Sequence, residues 1–115
     1  MATFSAVFSP SSASGGVESV TKQTISAGAS GAEIALGTNQ LFAISSIASS
    51  TAAAPLNINL EFGPSGLGAA TASDMGLPIG QVFTFDTSDE FKSVRVFNNA
   101  TTGSVDVYVM KLKRS

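Results

Sequence analysis

The clearest alternation of apolar and polar residues is found from residue 56 to residue 62, Leu56-Asn57-Ile58-Asn59-Leu60-Glu61-Phe62. Its apolar residues occupy every second position, and in an extended chain the polar residues between them point to the opposite side. In a helix the four apolar side chains would be scattered around the circumference. The stretch therefore predicts a β-strand with one face in the core and the other in solvent.

The same period of two recurs along the rest of the chain. It predicts strands over 17–25, 32–36, 41–47, 81–86, 91–97 and 105–112. In the last of these both faces are partly apolar, which favours a position in the middle of a sheet or beneath a neighbouring segment. Residues 1–16 are interpreted either as an N-terminal arm or as the first strand. About eight short antiparallel strands separated by turns predict an all-β fold, a single β-sandwich or jelly-roll-like domain over residues 1–115.

Two connections between the predicted strands have a distinctive sequence. The segment Asn98–Gly103 contains two Asn and one Gly, residues that tolerate a positive φ, and it predicts a hairpin between the last two strands. The segment Gly63–Gly80 is rich in Gly and Pro and predicts a long loop. Structureless loops of that length are usually functional or mobile, so this one is a candidate contact surface or a flexible connection.

The composition is that of a folded domain with a small-residue surface. The 115 residues are 43% hydrophobic and only 12% charged, which excludes the high charge and low hydrophobicity of a disordered chain. Ser, Ala, Thr and Gly make up nearly half of the sequence. Such a surface offers few sites to proteases and loses little side-chain entropy on contact. It suits a protein packed against others or exposed outside a cell, as well as an ordinary β domain.

The charges are unevenly distributed along the chain. Residues 1–90 carry seven acidic side chains and one basic one, whereas residues 91–115 carry five basic side chains and one acidic one. An acidic body and a basic tail can pair between neighbouring copies, although the same charges can equally be solvated separately. The basic residues form no cluster beyond Lys111, Lys113 and Arg114, so we expect no nucleic-acid partner.

The sequence lacks the residues that most enzymes use for proton transfer and nucleophilic attack. It contains no His and no Cys, and no Ser-x-x-Lys, phosphate-binding or dinucleotide-binding motif. We therefore expect no enzymatic activity, no catalytic residues and no cofactor. The acidic stretch Asp86–Glu90 could offer oxygens to Ca²⁺, but it lacks the order of a calcium loop. Capping of a tight turn explains it better, and no metal is expected.

Targeting signals are also missing from the sequence. Residues 1–8 lack a basic region and a long apolar region, and no run approaches about 18 apolar residues. We expect synthesis in a cytoplasm and no membrane partner.

The C-terminal part of the chain resembles a known group of proteins. Residues 77–86, 91–99 and 103–109 read LPIGQVFTFD, FKSVRVFNN and GSVDVYV. This pattern is similar to the C-terminal half of small virion proteins of tailed bacteriophages, where a short β-sandwich ends in a similar hairpin, and it covers residues 77–112. That group includes capsid decoration (cement) proteins, often trimeric, and neck and tail components. No functional residue is carried over, because the matching positions belong to the scaffold.

The resemblance implies a structural protein of the virion, made in the cytoplasm of the bacterial host. Its partners would be the major capsid protein or other virion proteins, and the chain would form a homo-oligomer, with a trimer favoured. The alternatives are a neck or tail component and a carbohydrate- or receptor-binding β-sandwich module. The N-terminal segment, the long loop and the basic tail supply the candidate protein-contact residues, which are Phe4, Phe8, Leu67, Met75, Lys111, Lys113 and Arg114.

Overall fold

The computed structural model describes residues 4–5 and 16–113 and confirms the all-β class. The described residues form nine strands, close to the predicted number. The strands are β1 (Phe4–Ser5), β2 (Val17–Ser26), β3 (Ile34–Ala35), β4 (Leu41–Ala48), β5 (Asn57–Gly63), β6 (Met75–Pro78), β7 (Phe83–Asp86), β8 (Ser93–Asn98) and β9 (Ser104–Leu112).

The strands build two antiparallel sheets that enclose one core. Sheet A has the order β1-β7-β4-β9-β2, and sheet B has the order β3-β8-β5-β6. From β2 onward the pairing is nested: β2 pairs with β9, β3 with β8, β4 with β7 and β5 with β6. This rolled-up arrangement of eight strands in two sheets is a jelly roll, one of the forms of sandwich that the sequence left open.

The core lies between the inner faces of the two sheets. Every second residue of the central strands is buried there, and a group of Phe rings fills one end. The ring of Phe85 lies 4.9 Å from that of Phe62 and 6.0 Å from that of Phe42, measured between centroids. Burying each large apolar side chain contributes about 1.5–3 kcal/mol. The side chains with almost no exposed surface are Ile44, Ile58, Leu60, Phe85, Val94, Val96, Val105, Val107 and Val109.

The stretch that predicted the fold forms β5, with two differences. Leu56, predicted to face the core, precedes the strand and is 47% exposed. Ile58 and Leu60 are buried in the core, as the alternation requires. Asn59, predicted to face solvent, is also buried. The reason is that residues 64–74 fold over the outer face of sheet B, and the Asn59 amide donates a 2.9 Å hydrogen bond to the carbonyl of Asp74.

The predicted hairpin over Asn98–Gly103 is wrong. The preceding strand, β8, belongs to sheet B and the following strand, β9, to sheet A, so the segment crosses from one sheet to the other. Asn98 is fully buried at this crossing, and its Oδ1 accepts a 2.8 Å hydrogen bond from the backbone N–H of Ala100. Gly103 has a φ of 83°. A positive φ permits any tight reversal of the chain, whether or not the two flanking strands pair with each other.

The predicted long loop Gly63–Gly80 contains a strand that the sequence analysis missed. Residues Met75–Pro78 form β6, which pairs with β5 at the edge of sheet B. Met75 and Leu77 pack against the core, while Gly76 and Pro78 are exposed. Four residues that include Gly and Pro give too weak an alternation to indicate a strand, although Pro is tolerated on a sheet edge.

Candidate protein-contact surface

The described residues offer no cluster of His, Cys and acidic side chains for metal binding and no membrane-spanning helix. No group of three or more His, Cys, Asp or Glu side chains in the described ranges could hold a metal ion. None of the described residues belongs to a helix long and apolar enough to cross a membrane. The features that stand out are two surfaces of sheet A, namely its outer face and its β2 edge.

The acidic stretch Asp86–Glu90 is part of the scaffold. Its second residue, Thr87, is buried, and its Oγ1 accepts a 2.8 Å hydrogen bond from the backbone N–H of Gln40. The backbone N–H of Thr87 in turn donates to the carbonyl of Gln40, also at 2.8 Å. Ser88 and Phe91 close the turn as an isolated bridge. These contacts hold the end of β7 against the residue that precedes β4.

The outer face of sheet A is the side of the sheet turned away from the core. The strand registers place Val20, Met110 and Ala43 in one row across it. Lys22, Tyr108 and Ser45 form the next row, and Thr24, Asp106 and Ile47 form the third. This face therefore combines aliphatic, aromatic and charged side chains supplied by the three strands β2, β9 and β4.

Two aliphatic side chains on the outer face of sheet A are strongly exposed. Val20 is 53% exposed and Ile47 is 61% exposed. Between them Tyr108 and Met110 are partly exposed. Tyr and Met are enriched in protein–protein interfaces. Single exposed aliphatic residues are ordinary, but four apolar side chains on adjacent strands form a surface suited to contact with another protein.

The charges on this face compensate each other. The Lys22 ammonium lies 3.8 Å from Oδ2 of Asp106 and 5.9 Å from the centre of the Tyr108 ring. The Thr24 hydroxyl donates a 2.6 Å hydrogen bond to Oδ1 of Asp106. An exposed pair of this kind contributes little to stability. Its effect is to leave the face electrically neutral, which lowers the cost of covering it with a partner.

One end of the outer face of sheet A is already covered. Leu41, Ala43 and Leu112 lie on this side of the sheet and are each less than a tenth exposed. They form a second small apolar cluster against which Met110 packs. The accessible part of the face is thus the area from Val20 to Ile47.

The β2 edge is the free long side of β2, the outermost strand of sheet A. The strand has ten residues, and among the described residues it pairs only with β9. Residues 17–22 are all exposed, although alternate side chains of this segment point to the core side of the sheet. The opposing edge strand of sheet B, β3, has only two residues and leaves this segment uncovered. Residues 17–22 of β2 are therefore accessible on both sides of the sheet.

The candidate contact residues of the long loop are held in place by a network of hydrogen bonds. The Glu33 carboxylate accepts hydrogen bonds from the backbone N–H groups of Gly66, at 3.0 Å, and Leu67, at 2.6 Å. The Arg95 guanidinium donates to the carbonyls of Gly31 and Leu67 at 2.9 and 3.2 Å. Half-buried Leu67 packs over Gly63. The loop is thus an ordered cover on sheet B.

The remaining candidate contact residues are distributed over several places. Lys111 lies 3.1 Å from the carboxylate of Glu18, close to the β2 edge, and Lys113 is exposed. Phe4 belongs to β1, which pairs with β7 at the other edge of sheet A. Phe8 and Arg114 lie outside the described residues. A contact role for all seven candidates stays a prediction. The sequence analysis did not identify Val20 and Ile47 as contact residues, because the pattern does not show which face of a strand is left exposed.

Two solved structures share this fold. They are the IMPa metallopeptidase from Pseudomonas aeruginosa and the same protein in complex with an O-glycopeptide, with TM-scores of 0.51 and 0.52. Each is 13% identical to this chain and covers 86% of it, whereas the chain covers 13% of the metallopeptidase. No family model and no curated protein matches the sequence. At this identity the likeness extends to the fold alone.

Proposed function

We propose that this chain is a structural protein of a tailed-phage virion that decorates or cements the capsid through protein–protein contacts, as a homo-oligomer. The observation that carries the proposal is the accessible outer face of sheet A, with four apolar side chains around a compensated Lys22–Asp106 pair. The resemblance of residues 77–112 to small virion proteins of tailed bacteriophages supports a location in the virion. In this reading the protein is made in the bacterial cytoplasm and then incorporated into particles.

The outer face of sheet A fits a broad contact better than a deep ligand site. Its side chains come from three adjacent strands of one sheet and present a continuous surface. Its exposed centre has apolar groups flanked by hydroxyl groups of Thr24 and Ser45, a composition close to that of stable interfaces. A lattice of capsid proteins offers a surface of similar extent, and a jelly-roll sheet can dock on it without rearrangement.

Co-sedimentation of the purified protein with capsids tests the proposal. Ile47→Lys introduces a charge in the middle of the apolar area, and we expect it to abolish capsid binding. Ser65→Lys makes the same change in charge on the exposed loop over sheet B and serves as the matched control. The wild-type protein should also be found at high copy number in purified particles by mass spectrometry. Failure of the wild type to bind capsids, or its absence from particles, would overturn the proposal.

The copy number separates capsid decoration from the alternative of a neck or tail component. A decoration protein occupies the repeated sites of the capsid lattice and is present in many copies. A neck or tail component is confined to one vertex and is present in few. Quantitative mass spectrometry against the major capsid protein distinguishes the two.

A carbohydrate-binding module is a second candidate function, favoured by the position of Tyr108. Its ring lies on the accessible outer face of sheet A, beside the carboxylate of Asp106 and the ammonium of Lys22. An aromatic ring beside hydrogen-bonding groups is a common way to bind a sugar. One of the solved structures of similar fold holds an O-glycopeptide. Selective binding on a glycan array that is lost in Tyr108→Ala and retained in Tyr108→Phe would support this function.

A further inference from the structure

Two buried oxygen atoms on the outer face of sheet B have no hydrogen-bond partner among the described residues. They are Oδ1 of Asn59 and Oε1 of Glu61. Both residues belong to β5 and are two positions apart, so their side chains lie on the same face of the sheet. A buried acceptor without a donor loses its hydration with no compensation, and the loss is larger for a charged group. A bound cation would compensate both oxygens.

The orientation of the Asn59 amide is fixed by its other atom. Asn59 is only 3% exposed. Its Nδ2 donates a 2.9 Å hydrogen bond to the carbonyl of Asp74 and lies 3.4 Å from the carbonyl of Ala72. Only the nitrogen of an amide donates hydrogen bonds, and only the oxygen accepts them. The buried Oδ1 therefore remains the free acceptor of an amide that is held against the turn formed by residues 71–74.

The carboxylate of Asp74 belongs to the same turn. Continuing the register of β5 and β6 by one residue beyond the Leu60–Met75 pair places Asp74 opposite Glu61. Oδ2 of Asp74 accepts a 2.8 Å hydrogen bond from the backbone N–H of Thr71, which leaves Oδ1 as a possible ligand. Like charges directly opposite each other on neighbouring strands are unfavourable. A cation between these two carboxylates would turn their repulsion into a shared attraction.

Arg95 does not supply that positive charge to Glu61. It lies opposite Glu61 on the neighbouring strand β8, but its guanidinium donates to two backbone carbonyls. The Glu61 carboxylate forms no ion pair with it in the described structure. Three carboxylates are associated with the loop over sheet B, those of Glu33, Glu61 and Asp74, against one guanidinium. The excess of two negative charges matches a divalent cation.

We propose that Ca²⁺ binds between β5 and the turn of residues 71–74, with Oδ1 of Asn59, Oε1 of Glu61 and Oδ1 of Asp74 as its protein ligands. Calcium accepts about six to eight oxygen ligands in a flexible geometry, including amide and carboxylate oxygens, and water completes its shell. Magnesium demands a nearly ideal octahedron, and the softer transition metals prefer nitrogen and sulfur. Because one ligand is an amide, the site has only two acidic residues and differs from a cluster of acidic side chains.

The bound ion would join the central strand β5 to the loop that covers sheet B. Asn59 and Glu61 are on the strand, whereas Asp74 is at the end of the loop. A site with three protein ligands is expected to be weak, in the range of about 10⁻⁴–10⁻³ M found for extracellular calcium modules. The inference goes beyond the proposed function and does not depend on it, because the proposed capsid contact is on sheet A.

Thermal unfolding of the full chain in the presence of CaCl₂ tests the proposal. We expect about 10 mM CaCl₂ to raise the Tm by roughly 5–10 °C, because the ion binds the folded chain only. NaCl of the same ionic strength should leave the Tm unchanged, and MgCl₂ should give a clearly smaller shift than CaCl₂.

Two variants assign the shift to these residues. Glu61→Gln removes the charge with little change in shape, so the calcium-dependent shift should disappear. Without calcium this variant should be at least as stable as the wild type, because it no longer buries an unpaired carboxylate oxygen. Asp74→Asn keeps an acceptor for the N–H of Thr71 and should also lose most of the shift. Glu90→Gln, the same change in an exposed turn, is the matched control and should keep it.

The proposal is overturned if CaCl₂ raises the Tm no more than NaCl or MgCl₂ does, the result expected when only water occupies the place between these oxygens. It is also overturned if Glu61→Gln and Asp74→Asn respond to CaCl₂ as strongly as the wild type. Should Glu61→Gln fail to fold, Asp74→Asn decides alone. Co-sedimentation with capsids is a separate measurement, so a negative result here leaves the proposed function standing.

Discussion

The side-chain amide of Asn98, at the end of β8 in sheet B, donates a 2.8 Å hydrogen bond to the carbonyl of Ile25 in β2 of sheet A. The same amide lies 3.4 Å from the carbonyl of Gly103, and the Asn98 oxygen accepts from the N–H of Ala100. One fully buried side chain thus ties the two sheets together and holds the segment that connects them.

We expect Asn98→Ala to lower the free energy of unfolding by about 3 kcal/mol, because it removes two buried hydrogen bonds to the backbone, at Ile25 and Ala100, and a partly buried one at Gly103. Asn99→Ala is the matched control. Asn99 is only partly buried and makes one long side-chain bond, 3.4 Å to Oδ1 of Asn57, so its loss should cost less than about 1 kcal/mol. Urea unfolding of both variants measures the difference. Equal losses would show that the cross-sheet hydrogen bonds contribute no more than a surface contact.

Gly103 is restricted both by its backbone conformation and by its neighbours. A Cβ at this position would lie 2.5 Å from the Cα of Ala52, and the φ of Gly103 is positive. Gly80 also has a positive φ, but a Cβ there would meet nothing within 4 Å. We expect Gly80→Ala to cost about 1–2 kcal/mol for the backbone conformation alone. Gly103→Ala should cost about 1–3 kcal/mol more, because the backbone around Ala52 must shift. Thermal unfolding of the two variants tests this order, and a Gly103→Ala variant as stable as Gly80→Ala would contradict it.

Glu33 stabilises the cover on sheet B through the N–H groups of Gly66 and Leu67. We expect Glu33→Ala to increase amide hydrogen exchange at these two residues and to lower stability by about 1 kcal/mol, because both hydrogen bonds to the carboxylate are lost. Glu33→Gln keeps an acceptor oxygen and should have an intermediate effect. Glu90→Ala, in an exposed turn, should leave the exchange of these amides unchanged. If the amides of Gly66 and Leu67 remain protected from exchange in Glu33→Ala, the loop is held in place by Arg95 and not by Glu33.

Ile44 and Ile47 lie in the same strand but face opposite sides of sheet A. Ile44 has no exposed surface, whereas Ile47 is mostly exposed. We expect Ile44→Ala to cost about 2–5 kcal/mol, since it opens a cavity in the core. Ile47→Ala should change stability by no more than about 0.5 kcal/mol. Chemical denaturation of the two variants measures both values, and a large loss in Ile47→Ala would mean that the outer face of sheet A is needed for folding.

The fold class could be predicted because apolar and polar residues alternate along the chain. This alternation determines which side chains a strand can bury. This is why Ile58 and Leu60 were placed correctly in the core and why β9, apolar on both faces, was placed correctly inside a sheet. The jelly roll itself depends on which distant strands pair, and it was predicted only as one form of sandwich. The turn residues of Asn98–Gly103 indicate that the chain reverses, but they do not decide whether it reverses within a sheet or between two sheets.

The candidate surfaces were harder to predict for a related reason. Val20 and Asn59 both lie on the non-core side of a strand, yet Val20 is exposed and Asn59 is buried. Asn59 is buried because a loop folds over sheet B. Glu33 and Arg95 stabilise this loop through hydrogen bonds to residues that are distant in sequence. Local patterns carry no information on such a cover. The sequence also could not predict that β2 lies at the edge of sheet A, because the position of a strand in a sheet depends on which other strands pair with it.

The nested pairing of the strands has a consequence for the rate of folding. β5 and β6 are close in sequence and can meet early, whereas β2 can meet β9 only after nearly all of the intervening chain has been arranged. Domains dominated by such distant pairs fold in about milliseconds to seconds, far more slowly than helical bundles. Until β9 arrives, β2 lacks its only neighbour in the described sheet, and both of its edges are open to other chains. Aggregation through the open edges of β2 should therefore compete with refolding, and it should rise steeply with protein concentration.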